Sequence, residues 1–247
     1  MTEENTSTEV QTSDPVILTM FEAGAHFGYS RGRRHPSMAD VMFGIKNRVE
    51  VFDLEKTKSY LSAAKAFAEN VGAMGKQILF VSGKHEAKAA IKAEAEGLAA
   101  PYVAGRWLGG TLTNFSQMKV RMAKLVDLRD KRVKGELAKY TKKEQLLIDR
   151  QIATLEDMFA GLLPMKELPG AVFVIDSKNE KTAVSEAKKI HVPVIALMSS
   201  DCDMDSVEYP IPANDSSSSS VQYFVKEIAD SFRMGKTRAM PPSPKKA

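Results

Sequence analysis

The sequence predicts a three-layer α/β fold, a parallel sheet with helices on both faces, from which an antiparallel coiled-coil hairpin protrudes. Three observations carry this. QILFV (77–81), AVFVID (171–176) and PVIALM (193–198) are short, near-continuous apolar runs of the kind that strands buried on both faces of a parallel sheet display. Segments of helical period, 85–97 and 178–190, follow the first two, and strands alternating with helices build βαβ units. Between the halves stand two seams that a sheet does not need: Phe115, Met118, Met122, Leu125, Arg129 and Arg132, then Ile148, Ile152, Leu155, Phe159 and Leu162, each spaced three and four apart.

The elements follow in order. PVILTMFEAGAHFG (15–28) reads as a short helix with Pro15 in its first turn and Gly24 and Gly28 near its end. RGRRHPSMADVMFG (31–44) is basic, proline-containing and irregular, and VEVF (49–52) is a short strand. A helix over 54–73 keeps Tyr60, Leu61, Ala64, Phe67, Ala68 and Val71 on one face. The alanine-rich helix 85–97 returns the chain to Pro101, Tyr102 and Val103, and a last helix spans 220–234. In the hairpin, Gly135 permits a turn, and TKKE (141–144) is a capping box with Thr141 as cap and Glu144 reaching back. Each arm is about 20 residues, so roughly 30 Å long. The expected organisation is an acidic tail (1–14), one body (15–112 and 165–234), the hairpin inserted in it (113–164), and a basic proline-rich tail (235–247).

Charge is distributed unevenly. The chain of 247 residues has a net charge of only +4. Residues 119–143 nevertheless hold ten Lys or Arg against three acids, a local excess of +7, which points to a polyanionic partner, with nucleic acid first. A second cluster, Arg31, Arg33, Arg34, Lys46 and Arg48, faces Asp40 alone. One cysteine, Cys202, rules out an internal disulfide and a thiolate zinc site. The acidic, polar N-terminus resembles neither a secretory signal nor a transit peptide, so the expectation is a cytoplasmic protein.

The stretch PYVAGRWLGGTLTNF (101–115), with the only tryptophan, Trp107, looks like a phosphate cradle. A Walker loop needs a lysine after its second glycine, however, and here Thr111 follows Gly110. The turn after QILFV has one glycine, Gly83, so the dinucleotide fingerprint is missing too. These glycines are expected to turn the chain into the hairpin, with Trp107 pinning the junction and Arg106 either an RNA contact or an internal partner. His26 and His35, nine apart around a turn, could converge on a metal, but packed histidines are the expectation. Asp201, Asp203 and Asp205 open like a calcium loop without its glycine or distal glutamate, which leaves open only a divalent ion held loosely by these carboxylates. Asp176 and Asp201 stand where α/β enzymes place catalytic groups, but helix capping is the plainer role. No catalytic residue, metal or cofactor is expected.

Several stretches together resemble one family. EAGAHFG (22–28), RRHP (33–36), FG (43–44) and DLEKT (53–57) are similar to the opening of the universal small-subunit ribosomal protein two family, bacterial type. GRWLGGTLTNF (105–115) resembles its central signature, and 168–197 with YPIPAND (209–215) its second half. The resemblance implies a flavodoxin/Rossmann-like body with a coiled-coil hairpin, no enzymatic activity, and binding to small-subunit ribosomal RNA. It also implies neighbouring small-subunit proteins as partners, in some bacteria the messenger-capturing protein one. RNA contacts are expected from Arg31, Arg33, Arg34, Lys46, Arg48, Arg106, Lys119, Arg121, Lys124, Arg129, Lys131, Arg132 and Lys134. The chain departs from the family at Tyr29 and Gly105, where histidines are usual, and at Ser219, where an arginine is usual. A metal on those histidines or an RNA contact from that arginine is therefore not expected. Two rival readings are a nucleotide-dependent enzyme and a coiled-coil scaffold for proteins alone.

Overall fold

A computed structural model of the chain describes residues 14–239. Residues 1–13 of the acidic tail and 240–247 of the basic tail lie outside the described residues. Five parallel strands form the main sheet: β4 (Ile78–Ser82), β5 (Tyr102–Ala104), β6 (Ala171–Ile175), β7 (Val194–Met198) and β8 (Tyr209–Pro212), in the order β5-β4-β6-β7-β8. Every residue of β4, β6 and β7 is buried, as their unbroken apolar character requires. Phe80 of β4 sits between Tyr102 and Phe173, which fixes the register at the centre of the sheet.

Alternation along the strands sends side chains to two cores. On one face Ile78, Phe80, Phe173, Ile195 and Ile211 meet α2 (Leu54–Ala73), α3 (His85–Gly97) and α7 (Ser218–Ala239). On the other, Leu79, Val81, Val172, Val174 and Ala196 meet α6 (Lys181–Lys189) and the foot of the hairpin. The hairpin is α4 (Phe115–Val133) and α5 (Lys142–Phe159), and it stands where a crossover helix would join β5 to β6. Met118, Met122 and Leu125 of α4 are buried with Ile152 and Phe159 of α5. At the two seam positions filled by arginine, Arg129 pairs with Glu156 at 2.7 Å and Arg132 with Asp149 at 3.6 Å. Gly135, at φ +72, makes the turn, and Thr141 and Glu144 form the capping box.

Several details differ from the sequence expectations, strand β8 at the sheet edge among them. The first helix, α1 (Pro15–Glu22), is shorter than expected, because Gly24 at φ +72 breaks the chain into strand β1 (Phe27–Ser30). With β2 (Met42–Lys46) and β3 (Val49–Phe52), β1 forms a small antiparallel sheet of order β1-β3-β2. The β2–β3 turn uses Asn47 at φ +51 and Arg48 at φ +65, the paired left-handed geometry that a two-residue hairpin needs. Helix α6 starts at Lys181 rather than 178, because Asp176, itself at φ +66, spends its Oδ1 on the Lys178 and Asn179 amides. Finally, α7 runs on through Gly235 to Ala239.

Gly235 is a contact residue, not a helix stop. A Cβ there would collide with the Glu69 carbonyl of α2, and one at Gly72 would meet the Phe232 carbonyl of α7 at 2.5 Å. These glycines let the two helices cross backbone to backbone. Gly235→Ala is expected to destabilise the body by about 3 kcal/mol through overpacking, read as a lower midpoint in urea unfolding.

Candidate nucleic-acid interface

The glycine-rich turn does cradle an anion, and the anion is the protein's own. Glu186 of α6 reaches into the turn and is buried. Its Oε1 accepts the Trp107 indole N–H at 3.1 Å and the Gly110 amide at 2.7 Å. Its Oε2 accepts the Leu112 amide at 3.0 Å, and the Thr113 amide and hydroxyl at 3.2 Å each. Gly110, at φ +89, supplies the backbone conformation that turns its N–H inward. Five donors thus tie residues 107–113 to α6 immediately before α4 begins. The sequence reading missed Glu186, taking 178–190 only as a helix of the βαβ pattern. The available signal was an acid among Ala183, Val184 and Ala187, the buried positions of that helix.

A second charged cluster fills the crevice at the carboxyl ends of β4 and β6, where the strand order reverses and ligands of such sheets bind. Lys84 Nζ lies 2.8 Å from Asp176 and 2.9 Å from the fully buried Asp215. Burial disfavours the Lys84 ammonium, but the Asp215 and Asp176 carboxylates outweigh it and hold it well above the ordinary lysine value. Asp176, Cys202 and Asp215 bring three potential ligand atoms within 4.8 Å of one another. The charge between the two carboxylates is already supplied by Lys84. Burial, reinforced by Asp176, pushes the Cys202 thiol up to about 12, so it is protonated and a poor metal ligand.

The other candidate groups are dispersed. His26 stacks on Phe21 at 4.3 Å, while His35 bonds Ser37 Oγ at 2.8 Å, so the two histidines do not converge. Asp201 pairs with Lys178, and Asp203 caps the turn at Asp205. Beside His26, Phe21 of α1 and Phe27, Phe43 and Ile45 of the small sheet are exposed around a cleft of about 730 Å³, and Phe43 is 81% exposed.

The thirteen basic residues divide by their partners. Arg34 bonds Glu50 Oε1 at 3.1 Å, and Glu50 is buried, so this guanidinium balances an interior charge. Arg129 and Arg132 bind the second arm as described, and Lys131 pairs with Asp127 along α4 at 2.7 Å. The other nine, Arg31, Arg33, Lys46, Arg48, Arg106, Lys119, Arg121, Lys124 and Lys134, are exposed and make no ion pair among the described residues. Arg33 lies over the Tyr29 ring and Lys119 over the Phe115 ring. The exposed bases fall in two groups, one on the turn after β1 and the β2–β3 end of the small sheet, the other along α4, with Arg106 at the junction. Among the described residues, no helix is long and apolar enough to cross a membrane.

Glu186 makes the junction sensitive to acid. Burial would raise its carboxyl, but donors from Gly110, Trp107, Thr113 and Leu112 outweigh burial and hold it below the ordinary value. A depressed carboxyl stabilises the fold above its unfolded pKa, about 4.3, and that contribution is lost as pH falls through the folded value. Glu186→Gln is expected to cost about 3 kcal/mol at pH 7 and to flatten the fall in stability below pH ~4, measured by urea unfolding across pH. Lys84→Met, which leaves Asp215 buried without its counter-charge, is expected to cost about 4 kcal/mol in the same assay.

Comparison with known proteins adds an independent observation. The chain matches the family described as Ribosomal protein S2 over residues 20–235. It is 40% identical over 222 residues to the small ribosomal subunit protein uS2 of Chloroflexus aggregans, covering 90% of this chain and 93% of that one. It is 41% identical to the protein of that name from Roseiflexus sp., over 90% and 85% of the two chains. With that of Wolinella succinogenes it shares 38% identity over 89% and 81%.

Proposed function

The chain belongs to the ribosomal protein S2 family, and from that premise we propose that its two groups of exposed bases hold it on small-subunit ribosomal RNA. Members of the family are structural proteins, not enzymes, and a structural role in the ribosome follows for this chain. The finer reading rests on one observation: Lys119, Arg121, Lys124 and Lys134 stand exposed along α4 and its end without ion pairs among the described residues. Side chains already paired must break an ion pair to bind phosphate, whereas these need not. Arg31, Arg33, Lys46 and Arg48 give a second contact on the small sheet, and Arg106 links the two.

Of the remaining predicted contacts, Arg34, Arg129, Lys131 and Arg132 act chiefly by holding the surface in shape through their carboxylate partners. The aromatic face of Phe21, Phe27 and Phe43 is the surface this reading offers to neighbouring small-subunit proteins, the messenger-capturing protein one among them. The domain division follows the same logic, with an α/β body carrying a hairpin that grips RNA. The nucleotide-enzyme reading loses its site, because Glu186 and Lys84 fill the two places where a phosphate or a cation would sit.

Replacing Lys119, Arg121, Lys124 and Lys134 together with Ala tests the assignment. Co-sedimentation with small subunits over a salt series is expected to weaken, with the salt slope falling by roughly one per lost phosphate contact. The thermal midpoint should move little, since none of the four makes an ion pair among the described residues and only the Lys119 contact with the Phe115 ring is lost. Unchanged association would sink the hairpin assignment.

A further inference from the structure

We propose that the cleft between α3 and the foot of the hairpin receives one unpaired guanosine of the bound RNA, an inference that rests on the ribosomal-RNA reading above. The cleft has a volume of about 440 Å³ and runs along the edge strand β5. That volume falls within the range of small-ligand sites. Its cations come from α3 and the junction: Lys88, Lys92 and Arg106. Its carboxylates come from α5: Glu156 and Asp157.

The charges in this cleft are left unbalanced. Lys88 and Lys92 lie one helical turn apart on the same face of α3, an arrangement in which like charges repel. Among the described residues Lys88 and Arg106 make no ion pair, and Lys92 makes only a 4.0 Å contact to Glu96. Asp157 is exposed and makes no ion pair there either, while Glu156 is taken by Arg129. Opposite charges therefore line one cleft without closing on each other.

A ligand complementary to this lining carries an anion at one end and a pair of hydrogen-bond donors at the other. A guanosine nucleotide has both. Its phosphate suits the Lys88, Lys92 and Arg106 cations. The N1–H and exocyclic amine of the base present two parallel donors that a single carboxylate, Asp157, accepts together. Uridine offers no such pair. Proteins read RNA sequence mainly on bases splayed out of a helix, with their pairing edges exposed. Arg106, which leads from β5 toward the hairpin, lines the cleft and is also one of the exposed bases proposed to hold the RNA, so the cleft adjoins that basic surface. An acidic peptide would meet the same cations but be repelled by Asp157.

Isothermal calorimetry on the full chain with guanosine 5′-monophosphate and uridine 5′-monophosphate tests this. The guanosine nucleotide is expected to bind about tenfold more tightly than the uridine one. The double variant K88A/K92A should weaken it by about tenfold, with an unchanged thermal midpoint. Asp157→Asn should erase the preference between the two nucleotides. Several results would overturn the proposal: equal binding of both nucleotides with Asp157→Asn silent, or binding of a polyglutamate peptide in place of either nucleotide. If the guanosine nucleotide fails to bind while small-subunit ribosomal RNA still does, the cleft assignment falls and the RNA reading stands. If neither binds, both fall.

Discussion

One carboxylate organises the joint between the two parts of this molecule. Glu186 projects from α6, on the body, and gathers donors from residues 107–113, which lead into α4. A buried carboxylate without partners would be costly, and a turn with several inward amides and no acceptor would be equally so. Each resolves the other. The direction in which the hairpin leaves the body follows from this junction, because the first residues of α4 come directly after the last donor. The packing of Met118, Leu125 and Phe159 then extends the same core outward along the hairpin.

The carboxyl edge of the sheet shows the same arrangement with the signs reversed. Lys84 stands between Asp176 and Asp215 in the crevice where related topologies hold a cofactor. In both places a fold that elsewhere binds small molecules has substituted its own side chains. The crevice is filled by paired charges, and the exposed bases without ion pairs among the described residues lie away from it, on the hairpin and around the small sheet. Charge is sorted in the same way. Bases that support the structure, such as Arg34 against Glu50 and Arg129 against Glu156, have carboxylate partners. Lys119, Arg121 and Lys124 on α4, and Lys46 and Arg48 at the β2–β3 tip, have none among the described residues.

Much of this was legible in the sequence, and the exceptions have physical causes. The apolar runs of β4, β6 and β7 are signals that burial enforces, so they could be read directly, and the seam positions Met118, Met122, Leu125, Ile152 and Phe159 are buried as well. Strands β1, β2 and β8 escaped because they are short and carry glycine or proline, and β8 pairs along only one edge. Gly235 was placed in the basic tail beyond the last helix, although its role depends on α2, some 160 residues earlier in the chain. The candidate bases were visible as composition. Which of them have partners depended on acids far away in sequence, such as Glu50, Asp149 and Glu156. Glu186 was the hardest to recognise, since its charge marks a surface helix until its position beside Ala183 and Ala187 is noticed.

The insertion of the hairpin between β5 and β6 also bears on how the chain is assembled. β6 is a central strand, paired with β4 on one side and β7 on the other, yet it is reached only after the hairpin. Bringing β6 back to β4 would close a loop of about 90 residues if the intervening chain were slack. A hairpin that zips from its own Gly135 turn draws its two feet together and shortens the effective loop. During synthesis from the N-terminus, such local zipping can come first, so that the arm acts as a clasp delivering the central strand to a sheet half built before it.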